Sequence, residues 1–349
     1  MHTISSMAKF LEIDGSYGES GGQILRTATG LSMVTGKPFR ITKIRAGRPN
    51  PGLQAQHLAG VSAAAELCGA ELEGAKLGST ELTFTPGNMT RESLDIEVGT
   101  AGSVALVLQT LLMPLSVARH KTHLDIRGGT HVAWSPTTGY FRHVFCEYMR
   151  MMGVSVRSDT HEYGFYPKGG GRITVDIAPS AKLKPLALDK RGRYVATEAW
   201  SNASRELARP KVAERQLGGA RVMARIDREN VKYVESQSIG SAITIVTKFS
   251  NCLLGASALG ERSLPAEKVG EQAAAELSRA LATGATMDSW MADQILPYIA
   301  LAAGKSVILA PSATKHMKTN IWAIEKFLGA KFSIEYGEKN VVVSCAGSA

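Results

Sequence analysis

His316 lies in the run Ser312-Ala-Thr-Lys-His-Met-Lys-Thr-Asn320, where one imidazole shares nine residues with two lysines and four small hydroxyl or amide side chains. A helix beginning near Ser312 or Thr314 aims unpaired backbone N–H groups and the positive end of its dipole at this loop. Lys315 and Lys318 add charge. The pattern suits an anion held against an imidazole, and a ring nitrogen with a free lone pair can attack phosphorus to form a covalent phosphoramidate, dividing one hard transfer into two easier ones. A lone histidine near a helix start is more often an ordinary surface residue. The chain around it has to supply the context.

Two further loops carry comparable chemistry. Arg45-Ala-Gly-Arg-Pro-Asn-Pro-Gly52, followed by Gln56 and His57, sets two arginines on a turn stiffened by proline and glycine, a form that grips phosphate with little entropy to lose. Gly128-Gly-Thr-His-Val-Ala-Trp-Ser-Pro136 offers His131 and a pair, Trp134 and Pro136, that could sandwich a base or simply pack. Polar groups also interrupt three apolar helices near their starts: Gln23 with Arg26, Gln109, and Asp293 with Gln294. Such groups are costly in an apolar stripe unless paired. Their recurrence points to one shared polar cleft. Tyr163-Gly-Phe-Tyr-Pro-Lys-Gly-Gly-Gly-Arg172 looks like a phosphate loop, but a strand-like run follows it rather than a helix, so a hairpin is expected.

The three loops occupy equivalent places in an internal repeat. An apolar helix ending at Gly36, a β-rich stretch Phe39 to Ile44, the arginine loop, a second helix and Gly69 form one unit. Helix Val104 to Val117, strand Thr122 to Arg127, the Trp134 loop and helix Thr138 to Met152 form another. Helix Met291 to Ala303, strand Ser306 to Ala310, the His316 loop and helix Met317 to Leu328 form a third. The interval Gly304 to Gly329 is shorter than Gly36 to Gly69 or His120 to Gly153. Each unit closes with two strand-like runs. The expectation is an α/β (α+β) fold: a large domain of three βαβαββ repeats, residues 1–181 and 277–349, with a smaller α/β domain inserted at 182–276. The insert reads as strand, helix Pro210 to Arg225, strands Lys232 to Ser238 and Ser241 to Phe249, and a helix; it carries little candidate chemistry.

Composition narrows the setting. The chain has 349 residues, 44% hydrophobic and 20% charged, enough for a substantial core and two domains. No apolar run reaches the roughly eighteen residues of a membrane helix, and Met1 to Phe10 lacks the features of a signal peptide. Cys68, Cys146, Cys252 and Cys345 are widely spaced without a CxxC pair, so reduced cysteines and a cytoplasmic setting are expected. A net charge of +9 is compatible with a polyanionic partner. No oligomeric state follows from the pattern.

Four ordered motifs, Asp14-Gly-Ser-Tyr-Gly-Glu-Ser-Gly-Gly-Gln-Ile-Leu-Arg26, Ile44 to Leu53, Gly164-Phe-Tyr-Pro-Lys-Gly-Gly-Gly171 and His316-Met-Lys-Thr-Asn320, closely resemble the RNA 3′-terminal phosphate cyclases over nearly the whole chain. The resemblance implies three repeats, each like the C-terminal domain of translation initiation factor 3, and an inserted domain. It implies ATP-dependent conversion of an RNA 3′-phosphate to a 2′,3′-cyclic phosphodiester, with RNA 3′ ends as partner and no membrane. By match, His316 would be the adenylylated nucleophile, and Glu19 would hold a divalent metal, Mg2+ or Mn2+. Gln109, Pro136, Tyr140, Trp290, Met291, Ala292, Asp293 and Gln294 would bind ATP, with Trp290 and Pro136 on either side of adenine. Arg26, Arg45, Arg48 and Gln56 would bind phosphates. The chain departs from the pattern at Trp290, where tyrosine is expected, at Tyr140, where phenylalanine is expected, and at Tyr163, where a basic residue is expected. A non-catalytic ribosome-assembly relative of the same fold should lack the histidine. A transferase built from similar repeats would need no nucleotidyl-histidine.

Overall fold

The computed structural model describes residues 10–348. Residues 1–9, on which most of the signal-peptide reading falls, lie outside them. The first repeat runs strand Leu11–Asp14, helix Gly22–Thr35, strand Phe39–Thr42, helix Ala55–Cys68 and the strands Glu71–Glu73 and Leu82–Thr85. The second runs Ser93–Glu97, Val104–Ser116, Thr122–Gly128, a helical segment from Thr138, then Ser155–Glu162 and Gly171–Ala178. The third runs Ala187–Leu188, Ser289–Leu301, Ser306–Ala310, Lys315–Leu328, Phe332–Tyr336 and Val341–Cys345.

Every repeat has one topology. Its sheet is ordered first, second, fourth, third, with the first pair parallel and the others antiparallel. A parallel pair needs a crossover, and the first helix of each repeat supplies it. Burial alternates along Thr122–Gly128, Ser306–Ala310 and Val341–Cys345, so each sheet turns one face to the core. The helices of different repeats pack on one another, Gly22–Thr35 against both Lys315–Leu328 and Val104–Ser116, and Val104–Ser116 against Ala55–Cys68. Helix starts from three repeats therefore meet in one region.

Several expected boundaries shift. The short strand Ala187–Leu188 lies before the insert yet pairs with Ser306–Ala310, because the third sheet needs its parallel edge strand. The insert therefore interrupts the third repeat after its first strand, rather than preceding that repeat from residue 182. It comprises the sheet ordered Arg228–Val234, Tyr194–Ser204, Ser241–Phe249, Leu253–Leu259 and the helices Val212–Met223 and Ala266–Ala282. Strand Leu253–Leu259 has no counterpart in the sequence reading, and the expected strand Lys232 to Ser238 is displaced to Arg228–Val234, whose parallel register with Glu198–Ser204 fixes it. The expected continuous helix Thr138 to Met152 contains a π-helical turn, Phe141–Phe145. The third repeat is short because its strand-to-helix loop is 311–314, against 43–54 and 129–137 in the others. His316 sits in the first turn of its helix, as His57 does in the first repeat. Tyr163 to Arg172 is a hairpin end, as expected, joining two antiparallel strands.

In the insert, helices Val212–Met223 and Ala266–Ala282 approach at glycine. A Cβ on Gly219 would overlap the Glu267 carbonyl, whereas one on Gly218 would meet only the Arg221 guanidinium at 4.0 Å. Gly219→Ala should therefore cost roughly 1–3 kcal/mol through overpacking, while Gly218→Ala should be neutral or stabilise by up to ~1 kcal/mol through helix propensity. Urea unfolding of the two variants checks the pair; equal shifts would remove the close approach as the cause.

Candidate active site

Thr314 caps the helix Lys315–Leu328, its Oγ1 accepting from Met317 N at 2.9 Å and donating to Asp293 Oδ1 at 2.6 Å. His316 follows in the first turn with its side chain half exposed. Its Nδ1 is 2.8 Å from Gln23 Oε1. An amide oxygen only accepts, so Nδ1 carries the proton and Nε2 keeps its lone pair. Glu19 Oε1 lies 3.6 Å from the same Nδ1, which favours that tautomer further.

The Glu19 carboxylate is only 6% exposed. Its Oε2 pairs with Arg48 Nη2, and its Oε1 is buried with no hydrogen-bond partner. Ser20 has a positive φ of 52°, and the Glu19 amide donates to Thr319 Oγ1 at 3.1 Å. Gly18 has φ 63°, and a Cβ there would overlap the Thr319 hydroxyl, so the turn that aims Glu19 requires glycine. Arg26 Nε donates to Gln109 Oε1 at 3.1 Å. Burial lowers the Arg26 guanidinium to about 10, the Glu19 charge opposing that shift and the Arg48 charge adding to it. Helix 289–301 is tied in by Asn320, whose amide donates to the Asp293 carbonyl at 2.9 Å and accepts from Thr27 Oγ1 at 2.6 Å.

The sequence-predicted residues thus fall into groups. Glu19, Arg48 and His316 form one contact chain, with Arg26 and Gln109 beside it. Arg45 is turned onto its own loop, donating to the carbonyls of Asn50 and Gly52, and burial together with the Arg48 charge lowers it. Gln56 accepts from Ser103 N at 2.8 Å and so ties the second helix of one repeat to the first helix of the next. Asp293 is raised to about 7, first by burial, with its Thr314 hydrogen bond opposing. Met291 and Ala292 are fully buried and Gln294 donates to the Trp290 carbonyl, so these three shape the helix start rather than offering free groups. Trp290 is 44% exposed, its Nε1 donating to Glu276 Oε1 at 3.1 Å. Pro136 is buried.

Tyr140, one of the residues that the resemblance assigns to ATP, is packed inside the protein. It is 3% exposed, and its hydroxyl donates to Asp288 Oδ1 at 2.6 Å. Asp288 is the residue the sequence reading missed. It caps helix 289–301 through Met291 N, accepts from Gly255 N of the insert at 2.9 Å, and is raised to about 6, mainly by burial. As a polar residue before an apolar helix it looks like any N-cap. Gln23 was visible as one polar group among several, without a role.

A family profile described as RNA 3′-terminal phosphate cyclase matches residues 17–334. The chain belongs to the RNA 3′-terminal phosphate cyclase family. A protein of Methanosarcina barkeri named RNA 3′-terminal phosphate cyclase is 43% identical over 94% of this chain and 97% of its own length. Proteins of the same name from Pyrobaculum neutrophilum and Archaeoglobus fulgidus are 42% and 41% identical, over 97% and 95% of this chain and 98% and 99% of their own lengths. The cyclase resemblance read from four motifs therefore holds along the whole matched span.

Among the histidines at equivalent loops, exposure separates His316 from the others. His57 and His131 are buried, and burial pushes each down to about 3, with Arg26 and Arg45 adding to the effect at His57. Their rings cannot reach a ligand. Unfolded, each titrates near 6.5, so between that value and about 3 the unfolded chain binds more protons and stability falls as pH falls. Each should remove about 1 kcal/mol of folding free energy between pH 6.5 and 5.5, given a limiting slope of about 1.36 kcal/mol per pH unit for one proton bound by the unfolded chain alone. Urea unfolding of the protein and of His131→Asn across that range tests this; an unchanged slope in the variant would contradict it.

Proposed function

We propose that this chain closes RNA 3′-phosphates into 2′,3′-cyclic phosphodiesters at the cost of ATP, through a covalent His316–AMP adduct and an RNA 3′-diphospho-AMP end. The observation that carries the reading is the half-exposed His316 ring with Nδ1 held by Gln23 and Nε2 bare, beside a buried carboxylate and the Arg48 and Arg26 guanidiniums. A phosphate monoester dianion repels nucleophiles and lacks a leaving group, so its neighbouring 2′-OH cannot close the ring without activation.

The steps balance on these atoms. His316 Nε2 attacks the α-phosphorus of ATP; an N–P bond forms, the P–O bond to pyrophosphate breaks, and the positive charge gained by the ring is met by Gln23 Oε1 and Glu19 Oε1 at Nδ1. An oxygen of the RNA 3′-phosphate then attacks the adenylyl phosphorus and breaks the P–N bond. The 2′-OH finally attacks the 3′-phosphorus, its proton passing to solvent as the new O–P bond forms, and the bond to the adenylyl phosphate breaks to release AMP. Arg26 and Arg48 offer positive charge where each phosphorane builds up, the part of phosphoryl transfer that proteins mainly supply. Trp290 gives adenine a half-exposed indole, and Asp293, one turn on, fixes Thr314 at the cap of the His316 helix, which links base and α-phosphate positions. Gln109 lies beside Arg26 at the same cleft.

The fit to a divalent cation is good at Glu19. Its Oε1 is a buried carboxylate oxygen without a partner. Among the described residues no three His, Cys, Asp or Glu side chains converge on a metal position, which suits Mg2+ or Mn2+ held by one carboxylate plus substrate phosphates and water. When bound, the ion would neutralise ATP phosphate charge. RNA 3′ ends are the proposed partner and the cytoplasm the proposed setting, where the four buried, unpaired cysteines stay reduced. Among the described residues no helix is long and apolar enough to cross a membrane.

Incubation with α-labelled ATP and Mg2+ should give an acid-labile, alkali-stable protein adduct. His316→Ala and His316→Asn should abolish it while leaving the fold intact, and His316→Ala should still cyclise RNA carrying a preformed 3′-diphospho-AMP end. Retention of more than about a hundredth of adduct formation, roughly 2.7 kcal/mol of barrier, would assign the nucleophile to another residue. Glu19→Gln should lose adduct formation at low Mg2+ and recover part of it as Mg2+ rises; an unchanged metal dependence would remove Glu19 as the metal position. Trp290→Ala should raise the ATP requirement by the ~1–3 kcal/mol of a base stacked on an aromatic, without slowing transfer from preformed adduct to RNA.

A further inference from the structure

The helix that starts with His316 carries a second pattern that the reaction does not use. Lys315, Lys318, Trp322 and Lys326 recur at i, i+3, i+7 and i+11, one stripe along a helix of 3.6 residues per turn. Tyr17 stacks on Trp322 with ring centroids 4.2 Å apart and planes 11° from parallel. Lys326 Nζ lies 5.0 Å from the Trp322 centroid, and Lys318 Nζ lies 6.0 Å from that of Tyr336. Tyr17 is 45% exposed and Tyr336 69% exposed, whereas Trp322 is half-buried. The stack is therefore open for extension only on its Tyr17 side.

We propose that this stripe is the track for the single-stranded RNA lying 5′ of the terminal phosphate, with a base stacked on Tyr17 and backbone phosphates against Lys318 and Lys326. It rests on the cyclase reading for the position of the RNA end. Three features select this occupant. The track joins the His316 site through the loop of residues 17–19, where Tyr17 stacks on Trp322, Glu19 N donates to Thr319 Oγ1 of the same helix, and Glu19 Oε1 lies 3.6 Å from His316 Nδ1. Lysines alternate with aromatic rings, the pairing that holds single strands without reading sequence, because every base offers a π-face and every nucleotide a phosphate. Trp322 and Lys326 lie about 9 and 15 Å beyond His316 along the helix at 1.5 Å per residue, so the stripe leads away from the reacting end instead of competing for it.

The test uses the full chain and a fluorescent ten-nucleotide RNA with a 3′-phosphate. Tyr17→Ala should weaken its binding roughly fivefold to a hundredfold, the range for one base stacked on an aromatic, and Tyr17→Phe should restore it. Lys326→Gln should lower the slope of log affinity against log salt by about 0.7, one phosphate contact on a single strand. A duplex of the same length should bind Tyr17→Ala as it binds the unchanged protein. Binding of the single strand to Tyr17→Ala within twofold of the unchanged protein would overturn the track, as would an equal loss for the duplex, which would leave only diffuse charge. Adduct formation from ATP without RNA should be the same in all these variants. Absence of the adduct in the unchanged protein would sink the cyclase reading instead, and the binding comparison would still decide whether the strand follows this helix.

Discussion

In the proposed reaction the His316 ring attacks through Nε2, and the hydrogen bond from its Nδ1 to Gln23 Oε1 orients it with that nitrogen bare. The partners come from different repeats, at the starts of two helices that pack together. The bond therefore exists only if the first and third repeats dock correctly. Three other contacts cross the same seam: Glu19 N to Thr319 Oγ1, Thr27 Oγ1 to Asn320 Oδ1, and Lys37 Nζ to the Phe327 carbonyl. The Thr27–Asn320 bond is buried and the other two are partly so, and breaking the buried one would leave an unpaired polar group. They give the seam one register.

Triplication explains why the site is asymmetric although the scaffold is not. Three equivalent strand-to-helix connections each carry a histidine, His57 and His316 in the first turn of their helices and His131 in the loop, yet of these only His316 is left at the surface. In the first repeat His57 folds into a capping box with Gln54 and packs against Gly22. In the second, His131 stacks on Tyr163 at 5.2 Å and bonds Thr130. Burial has converted two of the three into packing residues, and burial is also what makes them unfit to attack phosphorus. The charge logic runs the other way at Glu19, where burial with one oxygen paired and one orphaned leaves a carboxylate that a cation would satisfy.

The repeat pattern, the fold class and the His316 loop were legible because they rest on local signals: apolar period, glycine stops and a cap followed by lysines. Arg48 was legible as part of a stiff, doubly basic loop, but Glu19 only by resemblance, since nothing in Gly18-Glu-Ser-Gly says that the carboxylate turns inward beneath an arginine from another loop. Tyr140 and Asp288 show the limit most clearly. The resemblance assigns Tyr140 to the nucleotide, but which way its ring faces is set by Asp288, 148 positions later. The insert boundary escaped for a similar reason. A two-residue strand carries no period, and Ala187–Leu188 becomes recognisable only beside its partner Ser306–Ala310.

The insert, poor in candidate chemistry, is nonetheless bonded to the side of the cleft where the proposed nucleotide would lie. Gly255 N donates to Asp288, the cap of helix 289–301, and Glu276 receives the indole N–H of Trp290. Thr244 and Ser257 bond Thr137, at the start of the helix that carries Tyr140, and the Tyr148 hydroxyl donates to the Leu253 carbonyl. A half-exposed tryptophan on a helix start would otherwise choose among rotamers, and a base stacked on it would bear that ordering cost at binding. With Glu276 holding the ring edge and Asp288 anchoring the first turn, the cost is met during folding. On the proposed reading the contribution of the insert is preorganisation of Trp290, which gives a domain without reactive groups of its own a part at the place where adenine is proposed to stack.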